Sequence, residues 1–279
     1  MPTISIVTPA YNASATISET IRSVQLQTFT DWEWLIVDDG SNDDTAAIVR
    51  SFAATDSRIC LIQTLASTKH GAVRKGVLGL LPLPRMQSPQ GKARNVALRV
   101  AKGRFVAFID ADDLWLPEKL EQQLAFTIRE GAMMTYCRYR RFRSDPACPG
   151  PVVALPNSFT YESLCGNTAI GGPLTVMIDT AQSGPLQFPD FPHEDLCLWL
   201  SLLRNGQVAK GLPEDLCRYR VSSNSSSGNK LRSAIEVWIV FRKVESLSIA
   251  TTSWLFLQYT IRSVLRRIPL RRCSLNTTP

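Results

Sequence analysis

An apolar run ends abruptly in acidic residues in the segment Phe105-Val106-Ala107-Phe108-Ile109-Asp110-Ala111-Asp112-Asp113. The run is short and rich in aromatic and branched side chains, which predicts a buried strand rather than a helix. A buried strand cannot cheaply carry ionised carboxylates. We therefore expect the three aspartates to lie just past its end, at the edge of a sheet.

Three carboxylates this close together repel one another unless a cation holds them, and carboxylate oxygens are the ligands that Mg²⁺ and Mn²⁺ prefer. Such ions bind one or two carboxylates and take further oxygens from water and from substrate phosphates. The alternative is a solvated acidic turn ahead of the helix that Pro117 is predicted to begin. Asp-x-Asp alone is a weak motif, so both interpretations stay open at this point.

The composition indicates a globular protein with a sizeable core, because 44% of its 279 residues are hydrophobic and 20% are charged. The net charge of +7 comes from residues 230–279, which hold nine Lys and Arg against Glu236 and Glu245. Seven cysteines without a Cys-x-x-Cys pair, and no secretory signal, predict reduced thiols in the cytoplasm. Only two histidines occur, which argues against a zinc site rich in histidine. No apolar run is long enough to predict a membrane-spanning helix.

Strands and helices alternate along the first half of the chain, which predicts a parallel sheet with helices on both faces. The predicted strands are residues 4–8, 33–37, 58–63, 105–109, 132–137 and 174–178. The predicted helices cover about 14–27 and 93–101, and others begin near Asp43, Pro117 and Pro192. Ser41 or Asn42 is predicted to cap the helix near Asp43.

Three of the first four strands end in polar clusters, at residues 8–12, 38–43 and 110–113. Ligands of such sheets bind outside the carboxyl ends of the strands, so the three clusters are predicted to line one crevice. Neither Gly-x-Gly-x-x-Gly nor a phosphate loop is present, so phosphates must be held by a metal and by positive side chains. Residues 64–90 fit no element and are a lid, a disordered segment or a sequence irregularity.

Four motifs occur in one order, and with them the chain resembles the family 2 glycosyltransferases of GT-A fold. They are Ser5-Ile6-Val7-Thr8-Pro9-Ala10-Tyr11-Asn12, Val37-Asp38-Asp39-Gly40-Ser41, Ala93-Arg94-Asn95 and Asp110-Ala111-Asp112-Asp113. The resemblance covers residues 3–130 and continues more loosely to about 245. It implies an α/β fold with a Rossmann-like, mixed but mostly parallel sheet flanked by helices. The GT-A domain would be residues 1–229, with its nucleotide-binding half at about 1–130 and its acceptor half at about 131–229.

The resemblance implies an inverting, metal-dependent transfer of a sugar, of the hexosyltransferase type, from a nucleotide-diphosphate donor to an acceptor hydroxyl. The acceptor would be lipid-linked or a saccharide in bacterial lipopolysaccharide, capsule or exopolysaccharide synthesis. The implied donor contacts are Pro9, Ala10 and Tyr11 around the nucleoside, Asp39 on the base, and Arg94 on the diphosphate or the base-side pocket. Asp110 would approach the ribose or the metal, and Asp112 would be the principal ligand of Mn²⁺ or Mg²⁺.

An acidic pair, Glu194-Asp195, precedes an apolar run and matches the pair that the family carries before its acceptor-side helix. Acids in the first turn of a helix are common and often have no other role. Beside the other motifs we favour Asp195 as the general base, with Glu194 as its neighbour.

Two other functions were weighed against this one. A sugar nucleotidyltransferase would need a Gly-rich phosphate-binding N-terminus, and Pro9-Ala10-Tyr11 occupies that place. A non-catalytic binding or assembly subunit of the same fold is opposed by the presence of Asp112 and Asp195.

The tail, residues 230–279, is predicted to be helical, basic and amphipathic. It has apolar residues at helical spacing, accompanied by Arg262, Arg266, Arg267, Arg271 and Arg272. A basic helix with aromatic anchors can lie on an anionic bilayer. The alternative is a helix packed on the body with its arginines reaching water. We favour peripheral contact with the inner face of the cytoplasmic membrane, and no nucleic-acid binding, since no reading motif is present.

Overall fold

The computed structural model describes residues 1–64, 88–167, 170–221 and 230–265. Within these ranges there are ten strands and nine α-helices. The strands are β1 (Ile4–Ala10), β2 (Trp32–Asp38), β3 (Ile59–Gln63), β4 (Phe105–Phe108), β5 (Leu114–Trp115), β6 (Met134–Phe142), β7 (Val152–Val153), β8 (Ser158–Phe159), β9 (Val176–Asp179) and β10 (Ala209–Arg220). The helices are α1 (Ile17–Gln25), α2 (Thr45–Ala53), α3 (Pro89–Leu98), α4 (Lys119–Arg129), α5 (Tyr161–Asn167), α6 (Thr180–Ser183), α7 (Glu194–Leu203), α8 (Lys230–Ile239) and α9 (Ile249–Leu265).

All ten strands belong to one mixed sheet, whose main order is β3-β2-β1-β4-β9-β6-β10-β5. β3, β2, β1, β4, β6 and β10 run parallel, and β9 runs antiparallel between β4 and β6. The short strands β7 and β8 pair with β6 and β10. The carboxyl ends of β1, β2 and β4 therefore lie side by side at one edge of the sheet, where the predicted crevice belongs.

A buried hydroxyl on β1 contacts both β2 and the residue that follows β4. Thr8 Oγ1 donates to the carbonyl of Ile109 at 2.7 Å and accepts from Trp34 Nε1 at 2.9 Å. Both side chains are fully buried, so each polar atom needs a partner to offset its lost hydration. The threonine in an otherwise apolar strand thus fixes β1 against the start of the acidic loop.

The alternating strands and helices of the first half are confirmed, with differences at the ends of elements. Neither Ser41 nor Asn42 caps α2, because the N-cap residue is Asp44. The Ser41 hydroxyl instead accepts from the backbone of Asn12 at 2.9 Å, which joins the ends of β1 and β2. The helix predicted from Pro117 begins at Lys119, and the strand predicted at 174–178 begins at Val176, after a 3₁₀ turn.

Two elements near the site start or lie where the sequence pattern did not predict them. α3 begins at Pro89 rather than near residue 93, because the Ser88 hydroxyl accepts from Gly91 N at 2.9 Å and caps the helix. β10 was not predicted at all. It contains Gly211 and Pro213 and pairs with β6 through two register shifts, which break the alternation that marks a strand.

The described part of the tail, residues 230–265, consists of α8, a π-helical turn at Val240–Val244, and α9. Val240 and Phe241 are fully buried against the body, whereas Trp254 and Leu257 on α9 are 61% and 50% exposed. Among the described helices, none combines the length and the apolar content needed to cross a membrane. The six cysteines within the described ranges are free thiols. Most of the segment predicted as a lid, disordered or irregular, residues 65–87, falls outside those ranges.

Candidate active site

The acidic loop between β4 and β5 divides its three carboxylates between two environments. Asp113 is 1% exposed, and its carboxylate turns inward to accept the backbone N–H of Arg220 at 2.8 Å. Asp110 and Asp112 stay partly exposed at the carboxyl edge of the sheet. Asp113 therefore serves the fold, and Asp110 and Asp112 are the two carboxylates of this loop that a ligand can reach.

The loop is held from both sides by hydrogen bonds to its backbone. The Ala111 carbonyl accepts from Thr16 Oγ1 at 2.9 Å and from Thr20 Oγ1 at 3.1 Å, both on α1. Arg220 Nε donates to the Asp112 carbonyl at 2.7 Å from the end of β10. Sequence reasoning missed these three residues. The one available signal was the position of Arg220 at the carboxyl end of a strand that itself went unpredicted.

Arg220 is itself fixed by two further contacts. Its guanidinium forms an ion pair with Glu19 of α1 and lies 4.4 Å from the ring centre of Phe142. A planar guanidinium suits this double role because it stacks on a ring while donating from its edges. The acidic loop therefore rests on α1 and β10 together.

The ionised form of the Asp112 carboxylate is disfavoured by its surroundings. Burial and the neighbouring Asp110 raise the pKa of Asp112 to about 6. In the described ranges, no three His, Cys, Asp or Glu side chains surround one point as a complete metal site.

A buried arginine joins the acidic loop to α7. Arg94 of α3 donates from Nη2 to Asp110 Oδ1 at 2.6 Å and from Nη1 to Glu194 Oε1 at 2.7 Å. Its side chain is 2% exposed. Burial alone would lower the pKa of Arg94, but Asp110 and Glu194 outweigh it and raise that pKa. Both terminal nitrogens of the guanidinium thus hold carboxylates, and the contact of Arg94 with the diphosphate or the base-side pocket stays a prediction.

The neighbours of Arg94 in the Ala93-Arg94-Asn95 motif fix the geometry of this bridge. The Asn95 side chain pairs with the backbone of Phe188, with Nδ2 donating to the carbonyl at 2.7 Å and Oδ1 accepting from N at 2.8 Å. Ala93 is 2% exposed and lies in the core. The motif thus clamps the segment that leads into α7.

Gly91 lets α3 approach Glu194 closely. A Cβ atom added at Gly91 would lie 3.1 Å from Glu194 Cγ and 3.0 Å from Ser88 Oγ, tighter than an ordinary contact. Burial and the charge of Asp195 raise the pKa of Glu194, although Arg94 opposes the shift. Glu194 is therefore held tightly by its surroundings.

The second acid of the pair has a different environment. Asp195 is partly exposed, and its carboxylate accepts a hydrogen bond from the backbone of Leu196 at 2.8 Å. It makes no ion pair with any described residue. Of the two acids, Asp195 is the one whose carboxylate remains available to a substrate.

The predicted nucleoside contacts at the ends of β1 and β2 differ in how exposed they are. Tyr11 is 42% exposed and Pro9 is partly exposed, whereas Ala10 is 2% exposed, so its side chain belongs to the core. Asp39 is partly exposed and accepts from Thr64 Oγ1 at 3.0 Å. Asp38 is 2% exposed and accepts from the backbone of a following turn residue, which makes it structural.

The chain is similar to known proteins in sequence and in fold. A family model described as Glycosyl transferase family 2 matches residues 5–78 and 82–169. A Bacillus subtilis (strain 168) protein named as a teichuronic acid biosynthesis glycosyltransferase, TuaG, is 37% identical over 268 residues, covering 96% of this chain and 98% of that protein. The Escherichia coli UDP-Glc:alpha-D-GlcNAc-diphosphoundecaprenol beta-1,3-glucosyltransferase WfgD is 37% identical over 85% of this chain and 84% of its own length. The solved mannosyltransferase PcManGT from Pyrobaculum calidifontis, in complex with GDP-Man and Mn²⁺, has a TM-score of 0.62 at 19% identity over 95% of this chain and 74% of that chain. At this identity the structural likeness shows the fold.

Removing the buried guanidinium should lower the free energy of unfolding more than removing an exposed guanidinium. We expect Arg94→Ala to lower the free energy of unfolding by about 3–5 kcal/mol, because the buried Glu194 and the partly buried Asp110 would both lose their counter-charge. The matched control is Arg129→Ala, whose guanidinium contacts Glu130 at 3.4 Å, with the two side chains 67% and 35% exposed. This control should cost at most about 1 kcal/mol. Urea titration followed by circular dichroism measures both, and equal losses would contradict the bridging role.

The raised pKa of Asp112 gives a pH-dependent prediction. Its ionised form destabilises the metal-free protein, so its contribution to stability falls as pH rises from 3.8 to about 6. We expect Asp112→Asn to raise the melting temperature without metal above about pH 6. The same variant should lose the stabilisation that Mn²⁺ gives the unchanged protein.

Thermal unfolding with chelator and with Mn²⁺, at about pH 5 and about pH 7.5, measures both effects. Glu214→Gln is the control, since Glu214 is exposed and makes no ion pair with any described residue. It should follow the unchanged protein. An Asp112→Asn variant that kept the Mn²⁺ shift would show that the ion binds elsewhere.

Proposed function

Because the chain belongs to glycosyl transferase family 2 and is a glycosyltransferase of GT-A fold, we propose that it transfers a sugar from a nucleoside diphosphate to an acceptor hydroxyl with inversion. One observation carries this proposal. The buried Arg94 contacts Asp110 on one side and Glu194, the neighbour of Asp195, on the other. A donor-side carboxylate and an acceptor-side acidic pair are thereby held in one rigid site.

Asp195 is the proposed general base. The acceptor hydroxyl must lose its proton as its oxygen bonds to the anomeric carbon, and a positioned carboxylate can take that proton. The oxygen attacks the face opposite the nucleoside diphosphate, whose bond to the sugar breaks in the same displacement. Because no enzyme–sugar bond forms, the reaction needs no nucleophilic Ser or Cys. The partial exposure of Asp195 and the engagement of Glu194 by Arg94 support this division of roles.

Asp112, together with Asp110, is proposed to hold Mn²⁺ or Mg²⁺ against the donor diphosphate. When bound, such an ion supplies positive charge that stabilises the diphosphate as it leaves. The raised pKa of Asp112 supports this role because a nearby cation relieves the cost of ionising a half-buried carboxylate. Asp110 carries a second constraint, since its Oδ1 is already bonded to Arg94.

The nucleoside of the donor is proposed to lie at the ends of β1 and β2. Tyr11 and Pro9 offer exposed surface there, and Ala10 can contribute its backbone. Asp39 has a partly exposed carboxylate that can accept from a base N–H. The edge of uracil presents an N–H donor, so a uridine donor suits this carboxylate.

The substrates are proposed from the names of the relatives. TuaG is named for teichuronic acid biosynthesis, and WfgD for glucosyl transfer from UDP-Glc to alpha-D-GlcNAc-diphosphoundecaprenol. We propose that this chain acts on the same class, with UDP-glucose as the first donor to test. The acceptor to test is N-acetylglucosamine linked through a diphosphate to a polyprenol.

Substitution of the proposed base should abolish transfer and leave the donor side intact. We expect Asp195→Asn to lower kcat by at least about 100-fold, the usual contribution of a general base. Thermal shifts with UDP and Mn²⁺ should stay as in the unchanged protein, because Asp112 and Asp39 are untouched. Transfer is measured with UDP-glucose and the polyprenol-diphosphate acceptor. Transfer by Asp195→Asn at an unchanged rate would place the base elsewhere, and a product that retains the donor's anomeric configuration would contradict inversion.

The exposed apolar side of α9 is proposed to contact the inner face of the cytoplasmic membrane. Trp254 and Leu257 lie three residues apart on one side of the helix, and both are exposed. The sequence that follows carries five arginines up to Arg272. An aromatic anchor beside positive charge suits an anionic bilayer, and a polyprenol-linked acceptor resides in one.

Acidic residues on this side of α9 should release the protein from vesicles. We expect the double variant Trp254→Glu/Leu257→Glu to reduce co-sedimentation with anionic phosphatidylglycerol vesicles by at least about tenfold, because it replaces apolar contact with like charge. The control is Ile128→Glu, since Ile128 is also 61% exposed but lies on α4. It should sediment as the unchanged protein does, and equal binding by the double variant would refute the membrane contact.

A further inference from the structure

The residue that precedes the acidic pair has an unusual backbone. His193 adopts φ 53° and ψ 45°, in the left-handed region that a residue with a Cβ atom rarely occupies. It is the N-cap of α7, yet its side chain makes no capping hydrogen bond to the helix. Such a conformation persists only when surrounding contacts hold it in place.

Those contacts come from the tail. The His193 Nε2 atom lies 3.2 Å from Ser233 Oγ and 3.6 Å from Glu236 Oε2, both on α8. The imidazole is 30% exposed and the Glu236 side chain 13% exposed, so the contact is largely shielded from water. The helix that follows the GT-A domain thus contacts the turn from which α7 begins.

The His193 turn decides where both acids point. Its carbonyl accepts from Cys197 N at 3.0 Å, which closes the first turn of α7. Glu194, the next residue, reaches Arg94, and Asp195 follows it toward the cleft. A change in the His193 backbone angles would rotate this first turn and displace the Asp195 carboxylate.

We propose that Ser233 and Glu236 are positioning residues that act through His193 to fix the Asp195 carboxylate for catalysis. The inference rests on the proposed role of Asp195 as general base. It makes α8 part of the catalytic unit rather than only a connection to the membrane-facing α9. None of the three residues needs to touch the substrate.

The contacts of Ser233 and Glu236 with His193 can be removed without detaching the tail, because α8 and the turn after it have other anchors. Phe241 is fully buried and Val237 is 2% exposed. The Glu245 carboxylate accepts from Tyr161 Oη at 2.6 Å and pairs with Arg204 at 2.8 Å. A variant that lacks the two polar contacts to His193 should therefore stay folded.

The test is a double-mutant cycle in transfer assays on the full chain. We expect Ser233→Ala/Glu236→Ala to lower kcat about tenfold with the donor KM changed less than about twofold, since a small displacement of a base slows chemistry without weakening donor binding. His193→Asn removes the imidazole but tolerates the left-handed region, and it should lower kcat by a similar factor. All three substitutions together should cost no more than His193→Asn alone, because the contacts act through one side chain. Glu236→Gln, which keeps a hydrogen-bonding oxygen, should restore kcat, and Glu214→Gln is the matched surface control.

Three outcomes would overturn the inference: an unchanged kcat in Ser233→Ala/Glu236→Ala, losses that multiply when the substitutions are combined, or a rise in donor KM with kcat unchanged. Melting temperatures near that of the unchanged protein show that the variants are folded. If Ser233→Ala/Glu236→Ala has a lowered melting temperature, the kcat of His193→Asn is compared with the kcat of Glu236→Gln instead. Asp195→Asn in the same assay separates the two proposals. Full activity of Asp195→Asn refutes Asp195 as the general base. If Asp195→Asn is inactive while Ser233→Ala/Glu236→Ala and His193→Asn are fully active, only the positioning role is refuted.

Discussion

The guanidinium of Arg94 is buried between two carboxylates, and the geometry of the site depends on this contact. A buried charge is costly unless it is paired and hydrogen-bonded, so the fold must keep Asp110 and Glu194 on either side of it. Asp110 follows β4 and Glu194 begins α7. The two residues are about 85 positions apart in the chain. The cost of separating the charges therefore keeps the acidic loop and the acidic pair together, and the Asn95 clamp on Phe188 holds the backbone in the matching position.

The acidic loop shows how a fold can hold three neighbouring carboxylates. Hydrogen bonds to the loop backbone, from Thr16, Thr20 and Arg220, fix its path independently of the charge on the side chains. Asp113 has a structural role, since its carboxylate accepts a hydrogen bond from the backbone of Arg220. Asp112 is left at the cleft with a raised pKa, because burial and Asp110 make its ionised form costly. The loop can thus keep an unfavourable charge in a fixed place, which is what a cation-binding site requires.

Local sequence signals were enough for the strands up to β4 but not for the contacts that complete the candidate site. The strands up to β4 are short, continuous apolar runs, so their type and order could be predicted. β10 could not, because Gly211, Pro213 and two register shifts interrupt its pattern. The bridging role of Arg94 was also out of reach, since it depends on Glu194, 100 residues later. The caps assigned to Ser41 and Asn42 were wrong because tertiary contacts between the ends of β1 and β2 outweighed the local preference for a cap.

The balance of charge among the described residues around the cleft supports the proposal that a cation accompanies the donor. Acids outnumber bases there, and both guanidiniums are already committed, Arg94 to Asp110 and Glu194, and Arg220 to Glu19. The chain has an overall charge of +7, but residues 1–229 are balanced and the excess lies in the tail. A nucleoside diphosphate brought against these carboxylates would meet repulsion at every oxygen. The proposed divalent ion, carried with the donor, would offset this repulsion. The oxygen-only donor set of Asp110 and Asp112, with the raised pKa of the latter, favours the ion.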